Sequence, residues 1–268
     1  MVKKERLKRI IWILLSAVFL VGCYDDGNYI TEEETIESES LFYYESSPVT
    51  LKMIMSLFDI INSDPDIPKE DIVRMCESIC DAVDIGFPRL RDVIHALVNL
   101  NNIKIRIILA KTGEIEEGYA VWDDGVIRIK EKRFLGDPTI IIHEMIHQLQ
   151  FSLCGYAAYM DSDYLRNIEF EAYLIMDISI AEVWLKQGAI PDANKLCFLQ
   201  GVNKSEDAAL VMDYINFLCR VYERAISKED FISEFNRFAE KFKEYEKAKY
   251  SPNGIPSLIF RLWSSVWY

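Results

Sequence analysis

The chain has 268 residues, of which 50% are hydrophobic and 27% are charged. This composition supports a folded core and excludes a wholly disordered chain, a collagen-like repeat and a small disulfide-stapled scaffold. Lys and Arg number 30 against 43 Asp and Glu, which gives a net charge of −13 at pH 7. Because a surface of that sign repels a phosphate backbone, we expect no nucleic acid among the partners.

The first 22 residues are typical of an export signal. A basic start is followed by an apolar run from Ile10 to Val21, which is short for a membrane-spanning helix. The run ends in Leu20-Val21-Gly22-Cys23, which resembles the bacterial lipobox, where small residues precede a cysteine that becomes lipidated. The resemblance implies that residues 1–22 are a lipoprotein signal peptide and that Cys23 anchors the mature chain to a lipid bilayer. The alternative is an uncleaved N-terminal anchor helix, and in both cases the rest of the chain lies outside the cytoplasm.

Residues 23–48 predict an acidic flexible tether. From 24 to 48 the chain has eight acidic residues and no Lys or Arg, with Ser and Thr interspersed and no clear periodicity. Such a segment stays solvated and holds the following domain away from an anionic membrane. The acidic residues directly after Cys23 resemble the surface-export signals of Bacteroidetes lipoproteins. We therefore expect a lipid-anchored, extracytoplasmic protein of the bacterial cell envelope, in the outer membrane and, by this resemblance, exposed at the surface.

Residues 49–101 predict helices. Apolar residues recur at three- and four-residue spacing from Leu51 to Ile61 and again from Ile72 to Val83, as on the buried face of an amphipathic helix. Two prolines, at 68 and 88, suit the first turns of the second and third helices, where a missing amide proton costs little.

In the middle of the chain the apolar residues recur at every second position, and this spacing predicts strands. Ile103, Ile105 and Ile107 alternate with basic residues, which favours a half-buried strand. Further on, two short apolar runs flank Asp123-Asp124-Gly125, and this turn sequence predicts a hairpin over Tyr119–Ile129.

Helices are expected for most of the remaining chain. Asp137 and Pro138 suit the N-cap and first position of a central helix. A loop is expected from Ser152 to Asp163, followed by a helix from Tyr164 to Gln187 that stops at Gly188. Two more helices are expected over Ser205–Ala225 and Ser227–Lys247.

Together these elements predict an α+β fold. We expect one helix-rich domain, residues 49–268, with a small antiparallel sheet of about three strands before the central helix. Its parts are N-terminal helices at 49–101, a core at 102–187 and C-terminal helices at 188–268.

The central helix carries the HExxH motif of zinc metallopeptidases as His143, Glu144 and His147, which include two of the chain's three histidines. The two imidazoles are about 40° apart in azimuth and one turn apart in height, so both can bind one ion. Glu144 lies about 100° from His143, where it can take a proton from a metal-bound water. Two buried imidazoles are costly to desolvate without a partner such as a cation. The alternative is a pair of core histidines bonded to carbonyls and Glu144, and the third histidine, His95, is expected to be structural.

Here the chain resembles the gluzincin group of peptidases, which have thermolysin-like His-His-Glu zinc sites in a zincin-like domain. In that group a ligand Glu follows HExxH by about twenty or more residues, on a second helix. In several members this Glu begins a Glu-aromatic-x-Ala-Asp string, which Glu169-Phe170-Glu171-Ala172-Tyr173 matches except at Tyr173. The resemblance covers about residues 103–187 and rests chiefly on HExxH. It implies one Zn²⁺ per chain, bound by His143, His147 and Glu169.

Glu171 is the alternative third ligand. Glu169 and Glu171 lie about 200° apart on a helix, so only one can face the ion. Glu169 shares a stripe with Tyr173 and Asp177, which could orient a ligand carboxylate from behind. Both this stripe and the family string favour Glu169.

The resemblance implies a membrane-anchored hydrolase of peptide bonds in peptides or proteins, with Glu144 as general base acting on a metal-bound water. It also implies that an edge strand before the active helix holds the substrate, for which the Tyr119–Ile129 hairpin is the candidate. An exposed strand is equally well explained as scaffold. The alternative function is a non-catalytic surface-lipoprotein binding module that keeps a peptidase-like fold.

Overall fold

A computed structural model describes residues 48–86, 89–100, 103–115, 119–123, 125–160, 165–200, 202, 207–246 and 257–263. The predicted signal peptide, Cys23 and the tether up to residue 47 lie outside these residues and remain predictions. The described residues divide into two compact units, one up to Gln148 and the other from Leu149 onwards. This boundary falls inside one continuous helix rather than in a linker. The predicted α+β class is confirmed, with helices predominating.

The described part of the first unit begins with three helices: α1 Leu51–Leu57, α2 Lys69–Asp81 and α3 Leu90–Asn99. The Thr50 hydroxyl caps α1 by accepting a hydrogen bond from the Met53 amide at 3.3 Å, as side chains at the N-cap commonly do. A π-helical turn, Ala82–Gly86, follows α2. The three- and four-residue spacing on α2 gives a buried face: Ile72, Met75, Cys76 and Ile79. The helical pattern predicted for this region is therefore confirmed.

Three short strands follow in the first unit: β1 Arg106–Leu109, β2 Ala120–Asp123 and β3 Val126–Ile129. β2 and β3 form the predicted hairpin, in which Asp123 lies opposite Val126. Gly125 in its turn has a φ of +77°, a conformation that glycine adopts without a steric penalty. Ile105 and Ile107 are fully buried, as their alternation with basic residues predicts.

The sheet is mixed, and the prediction of an antiparallel sheet is wrong in this respect. The strand order is β1-β3-β2; β1 runs parallel to β3, whereas β2 runs antiparallel to it. Alternating apolar and polar residues define the two faces of a strand but carry no information about the direction of its neighbour. Because β3 lies between two strands, an extended substrate cannot add to it. The predicted substrate-binding role of the hairpin therefore concerns β2 alone.

A long helix, α4, runs from Pro138 to Met160 after a 3-10 turn at Lys132–Gly136. Asp137 Oδ1 accepts hydrogen bonds from the Thr139 amide at 3.0 Å and the Thr139 hydroxyl at 2.6 Å, so the predicted N-cap is confirmed. The loop predicted from Ser152 onwards is wrong as far as Met160, because α4 continues over these residues. A single serine or glycine in a helix interior costs about 1 kcal/mol or less relative to alanine, and a helix that is packed in a fold tolerates this cost.

Within the described residues of the second unit, the far end of α4 is followed by four helices: α5 Leu165–Leu185, α6 Ala208–Tyr222, α7 Lys228–Glu246 and α8 Ser257–Leu262. The first three of these lie where the sequence predicts helices, with ends that differ by a few residues. Gly188, at which α5 was expected to stop, has a φ of +70° and so suits the residue after a helix. None of the described helices has both the length and the hydropathy of a membrane span.

Aromatic side chains from α5, α6, α7 and a 3-10 turn at Phe198–Gln200 form the core of the second unit. The Phe198 ring lies 4.5 Å from the Tyr214 ring, centroid to centroid, and the Tyr214 ring lies 4.9 Å from that of Phe238. Phe170 of α5 joins this cluster at 5.5 Å from Phe198. Large buried rings contribute much of the apolar area of a core. This packing fixes the position of α5 within the second unit.

Candidate metal centre

The middle of α4 is buried on every side, and this is where His143, Glu144 and His147 lie. The apolar residues between and beside them expose no measurable surface: Ile141, Ile142, Met145 and Ile146. His143, Glu144 and His147 themselves expose 3%, 2% and 1% of their surface. Three ionisable groups in an apolar environment require polar or ionic partners, because burial without them is costly.

The two imidazoles meet edge to face. His143 Nε2 lies 3.1 Å from His147 Nε2, and the ring planes are perpendicular, with centroids 4.7 Å apart. Two nitrogens bound to one tetrahedral zinc at about 2.0–2.1 Å would be about 3.3 Å apart. The observed separation is close to that value, and it also suits a hydrogen bond between a protonated and an unprotonated ring nitrogen. The pair is thus arranged either for one shared ion or for one shared proton.

Glu169 on α5 completes a possible ligand set. One ligand atom from each of His143, His147 and Glu169 lies within 4.8 Å of the other two, and these three residues are the one such group among the described residues. Glu169 is half-buried. Two imidazole nitrogens and a carboxylate oxygen are the donor set of many catalytic zinc sites. The three residues predicted as ligands are therefore brought together, and the group could hold a metal ion.

Glu171, the alternative third ligand, has a different environment. Its Oε1 accepts hydrogen bonds from the amides of Leu258 and Ile259 at 2.8 and 2.9 Å, and its Oε2 accepts one from Gln150 Nε2 at 3.0 Å. Burial raises the pKa of the Glu171 carboxyl to about 7, against these hydrogen bonds, which lower it. Glu171 therefore holds the first turn of α8, and it does not belong to the group formed by the two histidines and Glu169.

Asp177 and Tyr173, the two residues predicted to support Glu169, both have defined contacts with other parts of the second unit. The Asp177 carboxylate accepts hydrogen bonds from the amides of Cys197 and Phe198 and from the Tyr214 hydroxyl. Asp177 lies eight residues beyond Glu169, which is about 12 Å along the helix, so we assign it to the packing of α5 and not to the support of Glu169. The Tyr173 ring packs against Phe242 with centroids 5.2 Å apart, and its predicted role beside Glu169 remains a prediction.

Two glutamines near the motif have contacts that the sequence did not predict. Gln148 Oε1 accepts a hydrogen bond from Trp122 Nε1 at 3.1 Å, which ties β2 to α4. Gln150 Nε2 donates to the Ile168 carbonyl and to Glu171. The signal available in the sequence was the presence of two amides in an otherwise apolar helix, since buried polar side chains are normally hydrogen-bonded.

Comparisons with protein-family models, with curated proteins and with solved structures found no match for this chain. A function for it therefore rests on its own residues and their geometry. His95, the third histidine, is buried on α3 and is not part of the group that could hold a metal; its structural role remains a prediction.

Proposed function

We propose that this protein is a zinc-dependent metallopeptidase that acts on peptides or proteins outside the cytoplasm, tethered to a membrane through lipidated Cys23. The observation that carries the proposal is the group formed by His143, His147 and Glu169, with Glu144 next to His143 on the same helix. The HExxH motif and its resemblance to the gluzincin peptidases support a peptide substrate.

The residues of the group suit zinc. Zinc accepts imidazole nitrogen and carboxylate oxygen, and in catalytic sites it takes three protein ligands and keeps a fourth position open. The 3.1 Å between the two Nε2 atoms is compatible with joint coordination, whereas a hard ion such as Mg²⁺ prefers an all-oxygen set. We therefore propose one zinc ion per chain.

Glu144 is the proposed general base. A bound zinc ion would supply a Lewis acid that activates water near neutral pH. Glu144 projects about 100° from His143, outside the donor set but beside it. From there its carboxylate accepts a proton from the attacking water and returns it to the leaving amine. The apolar residues around it keep other water away from this exchange.

A second candidate function is a metal-binding module without catalysis. The burial of His143, Glu144 and His147 favours it, because a substrate can reach groups that expose 3% of their surface or less only when the surrounding protein moves. Both candidates predict zinc binding, and they differ only in hydrolysis.

The deciding experiment measures zinc content and cleavage of a peptide library with the full chain, with Glu144→Gln and with His143→Ala. We expect about one zinc per chain in the parent and in Glu144→Gln, cleavage by the parent alone, and neither property in His143→Ala. Equal activity in the parent and Glu144→Gln would remove the role of Glu144, and zinc without any cleavage would favour the binding module. A folded parent with no zinc would overturn both.

A further inference from the structure

Gln150 connects α4 to the first turns of α5. It lies three residues after His147, about one helical turn away, and is fully buried. Its Nε2 donates hydrogen bonds to the Ile168 carbonyl at 2.9 Å and to Glu171 Oε2 at 3.0 Å. Ile168 and Glu171 stand on either side of Glu169 in the sequence. One side chain on the helix that carries both histidines thus bonds to the backbone and to a side chain flanking the proposed third ligand.

The two hydrogen bonds from Gln150 can hold α5 rigidly in place. The glutamine amide has two protons, so both acceptors can be served at once. All the groups are buried, where hydrogen bonds are electrostatically stronger than in water and broken ones are costly. Glu171 is held from its other oxygen by the amides of Leu258 and Ile259, so the acceptor for Gln150 is itself fixed.

A small rotation of α5 about its axis would move the Glu169 carboxylate away from the position that a metal ligand needs. A glutamate carboxylate extends about 6 Å from the helix axis, so a rotation of about 15° moves it by about 1.6 Å. Metal–ligand distances tolerate only about 0.2 Å. Because Glu169 and Glu171 project from one rigid helix in nearly opposite directions, a contact that fixes the direction of Glu171 also fixes that of Glu169.

We propose that Gln150 is a positioning residue for the metal site, which sets the rotation of α5 and so directs the Glu169 carboxylate towards His143 and His147. The inference rests on the proposed function, because it assigns Gln150 a role in metal binding through Glu169. A purely structural Gln150 would support α5 and α8 without any specific link to Glu169, and a double-mutant cycle separates the two roles.

The experiment measures the zinc Kd of the full chain by competition with a chelating dye, for the parent, Gln150→Met, Glu169→Gln and the double variant. Methionine keeps the volume of glutamine and removes both hydrogen bonds. We expect Gln150→Met to bind zinc about 10- to 100-fold more weakly, as losses of groups that orient a ligand typically do. In the Glu169→Gln background the same change should weaken binding less than about twofold.

The matched control is Tyr214→Phe, which removes a buried hydrogen bond to Asp177 in the same unit and should leave the zinc Kd within about twofold of the parent value. If circular dichroism shows that Gln150→Met does not fold, Gln150→Asn replaces it, since its shorter side chain cannot reach both acceptors. Independent, multiplicative effects of the two substitutions, or a Kd for the Gln150 variant within twofold of the parent, would overturn the positioning role alone. A parent that binds no zinc, or a Glu169→Gln variant that binds it as tightly as the parent, would overturn the proposed ligand set as well.

Discussion

Glu169 and Glu171 are chemically identical and only two residues apart, yet their surroundings differ because about 200° of helix separates them. Glu169 is half-buried and within reach of two imidazoles. Glu171 is buried and accepts hydrogen bonds from the first turn of α8 and from Gln150. One carboxylate belongs to a group that could hold an ion, and the other joins α5 to α8 and to Gln150 through hydrogen bonds.

Amide substitutions at these two positions should affect different properties: the response to zinc at Glu169 and the stability of the metal-free chain at Glu171. We expect Glu169→Gln to change the free energy of unfolding of the metal-free chain by less than about 1 kcal/mol, and to abolish most of the rise in Tm that zinc gives the parent. Glu171→Gln places a second amide opposite Gln150 and should lower metal-free stability by about 1–3 kcal/mol. Its Tm should still rise with zinc, but by less than in the parent, because the contact from Gln150 to the residue at position 171 is lost. Thermal unfolding with and without zinc checks both, and a full zinc response in Glu169→Gln would contradict the assignment.

The sequence predicts that His143, His147 and Glu169 come together as a group that could hold a metal ion, but it does not predict the residues that surround them. His143 and His147 follow from a four-residue spacing that helix geometry alone converts into a shared position. Glu169 could be preferred over Glu171 on the Glu-aromatic-x-Ala string, whereas Asp177 of its stripe bonds to Cys197, Phe198 and Tyr214 instead. Gln150 could not be found, because its acceptors are 18 and 21 residues away and meet it only through tertiary packing.

The start of α4 sets the azimuth of every residue that follows on it, including those of the motif. Asp137 Oδ1 bonds to both polar protons of Thr139. Burial raises the pKa of the Asp137 carboxyl, while the hydrogen bonds from Thr139 lower it. Asp137 therefore caps α4 as a hydrogen-bond acceptor.

Removal of this cap should weaken the protein moderately. Asp137→Ala loses both hydrogen bonds and is expected to lower the free energy of unfolding by about 1 kcal/mol, within a range of about 0.5–2. Asp137→Asn keeps an acceptor of the same shape and should retain most of the stability. Urea unfolding measures both, and equal losses in the two variants would show that the charge, not the acceptor, matters.

At the scale of elements, local rules predict where helices begin better than where they end or how strands pair. The Asp137 cap and the hairpin turn at Gly125 are encoded locally, and both are found. The parallel pairing of β1 with β3 joins residues 20 positions apart in the sequence, such as Arg106 and Val126, and no local pattern specifies such a pairing. The continuation of α4 to Met160 reflects packing that overrides weak helix formers.

At the scale of the whole molecule, a buried carboxylate in the second unit makes stability depend on pH. Burial raises the pKa of Asp177 to about 6, against hydrogen bonds from Phe198, Cys197 and Tyr214 that lower it. A folded pKa above the unfolded value means that the folded chain binds more protons between about pH 4 and 6. The stabilisation of the folded chain by the protonated form of Asp177 is therefore complete below about pH 4, and it is lost as the pH rises through about 6.

Asp177→Asn should remove this dependence. We expect the free energy of unfolding of the parent, minus that of Asp177→Asn, to be largest near pH 4 and to fall by up to about 3 kcal/mol by pH 7. The variant lacks an acceptor for one of the three donors, so it should be the less stable protein at pH 4. Urea unfolding at pH 4, 5, 6 and 7 gives the difference, and a difference that grows with pH would contradict the sign.

The proposed anchor can be tested on the whole chain. Cys23→Ser removes the proposed lipidation site, so the protein should move from the membrane fraction to the soluble fraction of the cell envelope, because a lipid chain supplies most of the membrane affinity of such a protein. Incorporation of labelled fatty acid into the parent but not the variant checks the modification. Membrane association that survives the substitution would favour an uncleaved anchor helix.

The near-complete enclosure of His143 and His147 also bears on when the proposed zinc ion would enter the chain. An ion that coordinates rings exposing 3% and 1% of their surface can exchange only as fast as the protein around it opens. Loading should then be fastest during folding, and a chain that folds after export would take its zinc from the compartment it is delivered to. Isotope exchange of bound zinc should therefore run at the rate of local opening seen by hydrogen exchange.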